Sequence, residues 1–506
     1  MTALWHGFLD AQIAARPEAL ALTDSTGTCW DYAALDAACT GLRAELDGAG
    51  VRPGDRVLIL IENCVAAVAA LFACSRMGAI AVPVNARQTA PEIDRIADHA
   101  RPAAVLFTSA ASPDAAAHAA RLGARPIAGA FGAMHLATPF PSAPEAEPEV
   151  AVILYTTGTT GAPKGVMLTH ANLVFGGKAS ARLRDMTQGD LIYGVLPITH
   201  VFGLASVVTA ALWIGAPVRL EARFSAAKLY AALQEGVTLL SAVPQMHALV
   251  MQYTRAQGFA SVPGSRLRYA SSGAAPLDPD WKRRAEAFYG VALQNGWGLT
   301  ETTAGACATR NALGDPDTSV GPPLPGVEIA VDEAVSGGGD GLGEVLVRGP
   351  NVMKGYYRAP EETARVLDAD GWLRTGDLGR IDGRGHLHIL GRSKELIIHG
   401  GFNVYPPEVE AALNAHPQVI QCAVIGRSRG GDEEVLAFVQ AAPDDLPDPE
   451  TLRAFAAERL AGYKRPAQIV VATDLPAAPT GKILKHRLLD HFADRLNAPP
   501  GASAKT

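Results

Sequence analysis

The stretch DRVLILIENCVAAVAALFACSRMGAIAVPV, residues 55 to 84, decides the fold class of this chain. It opens on an unbroken apolar run, continues with an alanine-rich segment of helical length, and closes on a second apolar run. Continuous apolar runs are typical of parallel strands buried on both faces, and such strands are usually joined by a helix that covers the sheet. The stretch therefore predicts an α/β architecture with helices on the sheet faces.

The length and the charge of the chain narrow the class of protein. It has 506 residues, of which 48% are hydrophobic and 19% are charged, which is enough for a large core and too long for one ordinary domain. The net charge of -7 argues against a nucleic-acid or anionic-membrane surface, because both require clustered Lys and Arg. We expect several domains and small-molecule ligands.

The N-terminal sequence predicts neither export nor a membrane anchor. Residues 1–22 are predicted to form an amphipathic helix, because Asp10, Arg16 and Glu18 interrupt their apolar residues. No stretch approaches the ~18 uninterrupted apolar residues of a spanning helix. The six cysteines include no C-x-x-C pair, so buried free thiols are expected. A cytoplasmic location without an integral membrane segment is the expectation.

The sequence AVILYTTGTTGAPKGVMLTH, residues 151 to 170, predicts a loop between two strands that binds phosphate. Hydroxyl groups and uncrowded glycine backbone can converge on an anion, and a lysine adds charge. The residues concerned are Thr156, Thr157, Gly158, Thr159, Thr160, Gly161 and Lys164. A flexible surface hairpin would be the alternative. A Walker-type loop fits poorly, because Pro163 precedes the lysine and Gly165 follows it.

Changes in composition suggest where the chain divides into domains. Residues 139–149 are a Pro- and Glu-rich connector, and residues 321–389 are predicted to be rich in strands. A new α/β run begins after residues 392–395 and lasts to about residue 490. We therefore predict a large domain over residues 1–391, a hinge at 392–395, a small domain over 396–490 and a flexible tail over 491–506.

The sequence NGWGLTETT, residues 295 to 303, combines an aromatic ring with hydroxyl and carboxylate groups. Trp297 could stack on a purine, while Thr300 and Glu301 could reach phosphate and Mg²⁺, which prefers carboxylate oxygen. The alternative is a core tryptophan beside an N-capping threonine.

Three further stretches suit a nucleotide site. In SSGAAPL, residues 271 to 277, small residues would let a flat ring approach the backbone, although the string alone is only a turn. In LRTGDLGRID, residues 373 to 382, Asp377 could accept hydrogen bonds from two ribose hydroxyls, or it could cap a turn. In AAPTGKILKHRLL, residues 477 to 489, Lys482 follows a Thr-Gly turn and suits a cation that enters and leaves a phosphate site. Lys485 and Arg487 are expected on a solvated helix face.

In their order along the chain, the five stretches resemble the acyl-adenylate-forming ligase superfamily, the AMP-binding enzymes that include acyl-CoA synthetases and adenylation domains. The resemblance covers nearly the whole chain. It implies a large N-terminal domain of stacked α/β sheets with a β-rich subdomain, and a small mobile C-terminal α+β domain. It also implies ATP and Mg²⁺, with coenzyme A as co-substrate.

The resemblance assigns roles to individual residues. Lys482 would stabilise the transition state of adenylation, Trp297 would lie against adenine, Asp377 would bind the ribose, and Glu301 would help to hold Mg²⁺. Many relatives have tyrosine at the position of Trp297, which leaves stacking intact. The remaining residues implied in nucleotide binding or its catalysis are the loop residues 156–161 with Lys164, and Gly273, Ala274, Ala275, Asn295, Gly296, Gly298, Thr300 and Arg392.

The resemblance also implies a second half-reaction after rotation of the small domain. Lys394 in GRSKEL would be the pivot, and Gly400 and Gly401 in HGGFNVYPPEVE would border the channel for the thiol. His200 in LPITHVFGL matches a residue that lines the acyl site and gates the thiol's approach. A satisfied core histidine is the alternative reading of His200.

The predicted function is an ATP-dependent acid:CoA ligase that forms an acyl-AMP intermediate and releases AMP and pyrophosphate. The resemblance implies that residues 191–218 and 241–250 line the acyl pocket. Because these segments carry no Lys, Arg, Asp or Glu, an apolar monocarboxylic acid, fatty or aromatic, is favoured over a dicarboxylic acid. A stand-alone ligase that loads an acyl carrier protein is one alternative, and a non-catalytic nucleotide-binding protein is another. The sequence leaves open whether the protein forms a homodimer.

Overall fold

The computed structural model describes residues 4–157, 163–273, 277–335, 341–429, 432–477 and 483–496. In chain order the strands are β1 Leu20–Asp24, β2 Cys29–Asp31, β3 Arg56–Ile61, β4 Ile80–Asn85, β5 Ala104–Phe107, β6 Arg125–Gly129, β7 Gly132–Ala137, β8 Val150–Thr157, β9 Pro163–Thr169, β10 Ile192–Gly194, β11 Val218–Leu220, β12 Leu239–Ala242, β13 Tyr269–Gly273, β14 Leu293–Trp297, β15 Cys307–Ala308, β16 Glu328–Asp332, β17 Gly343–Arg348, β18 Gly355–Tyr356, β19 Leu373–Ile381, β20 Leu387–Arg392, β21 Ile397–His399, β22 Phe402–Val404, β23 Gln421–Arg429, β24 Asp432–Gln440 and β25 Gln468–Ala472. The α-helices are α1 Gly7–Ala15, α2 Tyr32–Gly48, α3 Val65–Met77, α4 Ala90–Ala100, α5 Pro113–Arg121, α6 His170–Leu183, α7 Ala210–Ile214, α8 Ala226–Gln234, α9 Pro244–Ala256, α10 Pro279–Tyr289, α11 Pro360–Val366, α12 Pro406–Asn414, α13 Pro449–Ala457, α14 Leu488–His491 and α15 Ala493–Leu496.

Two large sheets form the N-terminal part of the molecule. Their strand orders are β18-β9-β8-β4-β3-β5-β7-β6 and β15-β14-β13-β12-β10-β11-β1-β2, eight strands each within the described residues. Both contain a parallel core flanked by antiparallel pairs. The predicted α/β class is therefore confirmed.

The stretch at residues 55–84 folds as β3, α3 and β4, with β3 and β4 parallel. Val57, Ile59 and Ile61 belong to the core shared by the two large sheets, whereas Leu58 and Leu60 pack into a second core on the other face of β3. The strand is buried on both faces, which is why its sequence shows no polar alternation. Helix α3 is almost fully buried within the shared core.

The strand-rich part and the small domain follow in chain order. Strands β16, β17, β19 and β20 form a four-stranded antiparallel sheet. Beyond it, the hairpin β21–β22 and the three-stranded sheet β23-β24-β25 pack with α12 and α13 around their own core, which includes Val409, Leu452 and Val439. A small C-terminal domain with a separate core is thus present.

The predicted N-terminal helix is wrong in its second half. Helix α1 ends at Ala15, and residues 20–24 form strand β1 instead. Pro17 explains the break, because proline disfavours helical conformation in the residue before it. The cysteine prediction is wrong at Cys29, which is exposed, whereas the other five cysteines are buried. Among the described residues, no helix combines the length and apolarity needed to cross a membrane.

Candidate active site

The strands that begin the motifs SSGAAPL and NGWGLTETT end side by side at the carboxyl edge of one large sheet. Parallel strands β13 and β14 pair Gly273 with Gly296. Ligands of α/β proteins bind at this edge, because loops can present polar groups there. Ala274 and Ala275 lie outside the described residues.

At this edge the backbone approaches so closely that glycine is required at Gly298 and little space for a side chain is left at Gly296. A Cβ added to Gly298 would lie 1.5 Å from the carbonyl oxygen of Ala304, and one added to Gly296 would lie 3.2 Å from that of Cys307. The chain around Trp297 is therefore folded tightly against the following residues. Asn295 is buried and donates to the Ser319 carbonyl at 3.0 Å, which ties this segment to the adjoining loop.

Trp297, Asp377 and Arg392 form a connected polar group. The Trp297 indole Nε1 donates to Asp377 Oδ2 at 2.7 Å, and Arg392 Nε lies 3.0 Å from Asp377 Oδ1. Asp377 is only 4% exposed and pairs with Arg392 across strands β19 and β20. The Asp377 carboxylate therefore binds two side chains rather than only capping a turn. The half-buried Trp297 directs its indole N–H toward this carboxylate.

Lys164 lies in the hairpin of β8 and β9, where it pairs with Thr156. Its ammonium group forms an ion pair with Glu362 and lies 5.2 Å from the centre of the Tyr356 ring. The lysine lowers the pKa of the Glu362 carboxyl. The predicted loop residues Gly158, Thr159, Thr160 and Gly161 lie outside the described residues, as does the side chain of Thr157.

Tyr356 connects this hairpin to Glu301. Strand β18 pairs with β9, and the Tyr356 hydroxyl donates to Glu301 Oε1 at 2.9 Å. Burial, followed by the nearby Glu301 carboxylate, raises the pKa of Tyr356 well above its ordinary value, so it stays a donor. Sequence reasoning missed Tyr356, because only the β9–β18 pairing brings it beside Glu301. Thr300 is buried in the short 3₁₀ turn that carries Glu301.

Among the described residues, no group of three or more His, Cys, Asp or Glu side chains is gathered to hold a metal. Mg²⁺ is commonly bound by one or two carboxylates together with substrate phosphates and water, so it needs no such group. The Glu301 carboxylate, oriented by Tyr356 and adjacent to the Lys164 hairpin, fits that kind of site.

His200 is exposed, which excludes the core interpretation of this residue. Its Nδ1 accepts from the Phe202 backbone N–H at 3.2 Å. Phe202 opens a π-helical segment, Phe202–Thr209, and its ring lies so close to Gly273 that an added Cβ there would be 3.0 Å from Cε1. The histidine segment therefore lies against the end of β13 at Gly273.

A cavity of about 320 Å³ lies beside this segment. Pro197 and Thr199 line it together with Met246 and Leu249, but Arg87 and Arg223 also reach it from other elements. Arg223 is paired with Glu62 at 2.7 Å. The absence of charge in residues 191–218 therefore does not by itself make this region apolar.

The hinge and the small domain hold the remaining predicted residues. Ser393–Glu395 form a 3₁₀ turn that contains Lys394. Gly400 and Gly401 form the turn of the β21–β22 hairpin with φ of 58° and 79°, where glycine is favoured. The Gly400 N–H donates to Asp432 Oδ1 at 3.0 Å within the small domain. In this arrangement the turn that contains Gly400 and Gly401 is bound to Asp432 of the small domain.

The expectation for Lys485 is wrong. Its Nζ lies 2.8 Å from both Glu395 Oε2 and Glu410 Oε1, and its side chain is only 25% exposed. Arg487 has a side chain that is 58% exposed, and it approaches Glu92 of the large domain at 3.8 Å. Lys482 lies outside the described residues.

Comparison with known proteins agrees with this geometry. Residues 9–357 match the AMP-binding enzyme family, and residues 408–482 match the AMP-binding enzyme C-terminal domain. A feruloyl-CoA synthase from Amycolatopsis sp. is 36% identical over 471 residues, which cover 92% of this chain and 94% of that protein. The long-chain-fatty-acid–CoA ligase FadD13 from Mycobacterium tuberculosis is 32% identical over 488 residues, 93% of this chain and 94% of that protein.

A solved structure extends the likeness to three dimensions. The crystal structure of ATP-bound MatB from Rhodopseudomonas palustris matches with a TM-score of 0.82 and 32% identity, and the match covers 98% of this chain and 100% of that one. Both domains are therefore shared with a protein that binds ATP. The chain belongs to the AMP-binding enzyme family, within its class of AMP-forming acid–CoA ligases.

Proposed function

We propose that this protein is an ATP-dependent acid:CoA ligase that works through an acyl-AMP intermediate. A carboxylate oxygen of the acid attacks the α-phosphorus of ATP and pyrophosphate leaves. The CoA sulfur then attacks the acyl carbonyl, and AMP leaves with the carboxylate oxygen. The observation that carries the proposal is the buried Asp377 carboxylate, which Trp297 and Arg392 contact where the large domain meets the hinge.

The nucleotide would lie along the carboxyl edge of β13 and β14. The ring of Trp297 would face adenine, Asp377 would accept from the ribose hydroxyls, and Arg392 would lie near ribose and phosphate. Lys164 and the loop before it would bind the phosphates. Glu301 would help to hold Mg²⁺, which when bound would offset the negative charge of ATP.

Lys482 is the proposed catalytic residue for adenylation. The carboxylate and the α-phosphate are both anionic, so a lysine that bridges them stabilises the charge that builds up as they join. Placing this lysine on the small domain would let it leave before the thiol enters. Rotation at Lys394 would then bring Gly400 and Gly401 to the pantetheine arm and leave His200 beside the acyl group.

For the acid, we propose an apolar monocarboxylate, fatty or aromatic. The relatives named above are described as acting on feruloyl and long-chain fatty acyl groups, and Met246 and Leu249 offer apolar contacts next to the His200 segment. Arg87 makes a doubly charged acid the competitor that the experiment must include.

The experiment is pyrophosphate release with ATP and Mg²⁺ over fatty, aromatic and dicarboxylic acids, with and without CoA. Release that requires both an apolar acid and CoA, with acyl-CoA as the product, is the expected result. A Lys482→Ala variant should lose release while keeping its thermal unfolding midpoint. Release that requires an acyl carrier protein instead of CoA would replace the ligase proposal with the carrier-loading one, and preference for a dicarboxylic acid would overturn the acid class.

A further inference from the structure

An ion-pair cluster between the hinge turn and the small domain, most deeply buried at Glu410, is not used by any step proposed above. It consists of Lys485, Glu395 and Glu410, and the Lys485 ammonium lies 2.8 Å from a carboxylate oxygen of each glutamate. The side chain of Glu410 is 13% exposed and that of Lys485 is 25% exposed. Burial alone would lower the pKa of Lys485, but the two carboxylates outweigh it and raise the pKa above its ordinary value. Lys485 therefore carries its positive charge at neutral pH.

Glu410 fixes one side of the cluster to the domain core. It lies on α12, and its Oε1 accepts from the Val424 backbone N–H of β23 at 2.8 Å. Removing Lys485 would leave this carboxylate without its cation inside the domain, which is costly for a buried charge. The lysine is thus held at a defined point of the small domain.

Glu395 fixes the other side of the cluster to the hinge. Just before Lys394, Arg392 contacts Asp377 at 3.0 Å, and the Ser393 hydroxyl donates to the Gly376 carbonyl at 3.2 Å. Both of these partners belong to the strand-rich part of the large domain. Directly after Lys394, Glu395 contacts Lys485 of the small domain. Lys394 therefore lies between two residues that contact the large domain, Arg392 and Ser393, and one that pairs with the small domain, Glu395.

Lys485 also lies close in the chain to the proposed catalytic lysine, which precedes it by three residues. The residues that follow Lys482 are held by backbone pairing, because Ile483 bridges to Ala477 and the Leu484 N–H donates to the Pro476 carbonyl at 2.7 Å. The next residue is Lys485 itself. One ion-pair cluster therefore joins the hinge to the chain beside Lys482.

We propose that Lys485 is a positioning residue for adenylation, and that its ion pairs with Glu395 and Glu410 set the placement of the Lys482 segment relative to the hinge. The inference rests on the proposed function, because it assumes that Lys482 acts in the first half-reaction. It goes beyond that function by assigning a role to three residues that touch neither ATP nor the acid. Since Lys482 acts only in the first step, loss of the cluster should affect the two half-reactions unequally.

The test separates the half-reactions in the full-length protein. Adenylation is measured as acid-dependent exchange of pyrophosphate into ATP, and thioester formation is measured from synthetic acyl-AMP and CoA. Lys485→Met should lower the kcat of exchange by about 100-fold, the effect expected when a catalytic group is displaced by about 1 Å. The KM for ATP and the rate of thioester formation should stay within about twofold of wild type, because neither depends on Lys482 placement.

Three variants control for a merely structural effect. Arg427→Met removes a cation of equal exposure that pairs with Glu434 at 2.6 Å between β23 and β24, away from the hinge, and should leave both half-reactions unchanged. Lys485→Arg keeps the charge and should restore most of the exchange. Glu395→Gln keeps the Lys485–Glu410 pair, so it should fold normally and still lower exchange selectively.

Equal loss of both half-reactions in Lys485→Met, or no rescue by Lys485→Arg, would overturn the positioning role. Wild-type exchange in Glu395→Gln would do so too, even if Lys485→Met failed to fold. These results differ from a failure of the proposed function, in which the wild-type protein itself would exchange no pyrophosphate with any acid.

Discussion

At Asp377, one buried carboxylate contacts an aromatic side chain of the large domain and a cation at the hinge. The sequence placed these three residues in three separate stretches, but it could not show that the Trp297 indole N–H donates to the Asp377 carboxylate. That bond depends on tryptophan, since phenylalanine would keep the ring and lose the donor.

Trp297→Phe should raise the KM for ATP by about tenfold, because a hydrogen bond to a charged group is worth about 1.5 to 3 kcal/mol. The measurement is the initial rate of pyrophosphate release against ATP concentration. Trp372→Phe is the matched control, because Trp372 precedes β19 and packs on Arg348 rather than on Asp377. An unchanged KM for ATP in Trp297→Phe would contradict the proposed role of this bond.

Tyr356→Phe should lower the apparent affinity for Mg²⁺ by about tenfold, as loss of a group that orients a metal ligand commonly does. The reason is that the Tyr356 hydroxyl donates to Glu301, the proposed Mg²⁺ ligand. The rate is measured against Mg²⁺ concentration at saturating acid. The adjacent residue gives the control, because the Tyr357 hydroxyl donates to Glu145 at 2.7 Å, so Tyr357→Phe should leave the Mg²⁺ dependence unchanged. Equal Mg²⁺ curves for both variants would argue against Glu301 as the ligand.

At the scale of elements, the sequence predicted strands and helices correctly where the hydrophobic pattern lies within one continuous segment. Strand β3 is an example, since both of its faces are apolar. Pairings between distant segments were not predictable. The β9–β18 pair brings Tyr356 to Glu301, and Lys485 meets Glu395 across 90 residues of chain. Nothing in a local pattern distinguishes such a lysine from one on a solvated face, which is why that prediction was wrong.

A buried histidine forms a hydrogen bond with the backbone of strand β13. His247 on α9 accepts from the Tyr289 hydroxyl at 2.8 Å through Nδ1 and donates to the Ser271 carbonyl at 3.1 Å through Nε2. This tautomer follows from the partners, because a carbonyl can only accept. Burial lowers the pKa of His247 from 6.5 to about 4. The folded protein therefore holds this histidine neutral at pH values where the unfolded chain protonates it.

Stability should therefore fall on acidification. As the pH falls, His247 is protonated in the unfolded chain before it is protonated in the folded protein. Its contribution to the free energy of unfolding is therefore complete above pH 6.5 and is lost between pH 6.5 and about 4. The expected loss between pH 7 and pH 5 is about 2 kcal/mol for this histidine. Urea unfolding at the two pH values measures it. His247→Gln should be less stable at pH 7 and should show a smaller loss, whereas an equal loss in the variant would contradict this account.

At the scale of the whole molecule, the chain is a large two-sheet body and a small domain with its own core, and residues 393–395 between them form a 3₁₀ turn. The resemblance predicted this division, and the structure adds how the hinge is held. Arg392 and Ser393 contact the large domain, and Glu395 contacts the small one. The proposed rotation at Lys394 would exchange the groups that face the acyl site between the two steps.

The most direct test of the two-step reaction follows one oxygen atom. The preferred acid is labelled with oxygen-18 in its carboxylate and converted fully to acyl-CoA, and the AMP and pyrophosphate are analysed by mass spectrometry. If an acyl-AMP forms, AMP leaves with one labelled oxygen and pyrophosphate carries none. Label in pyrophosphate or in orthophosphate, or AMP without label, would contradict the acyl-AMP intermediate and with it the central claim.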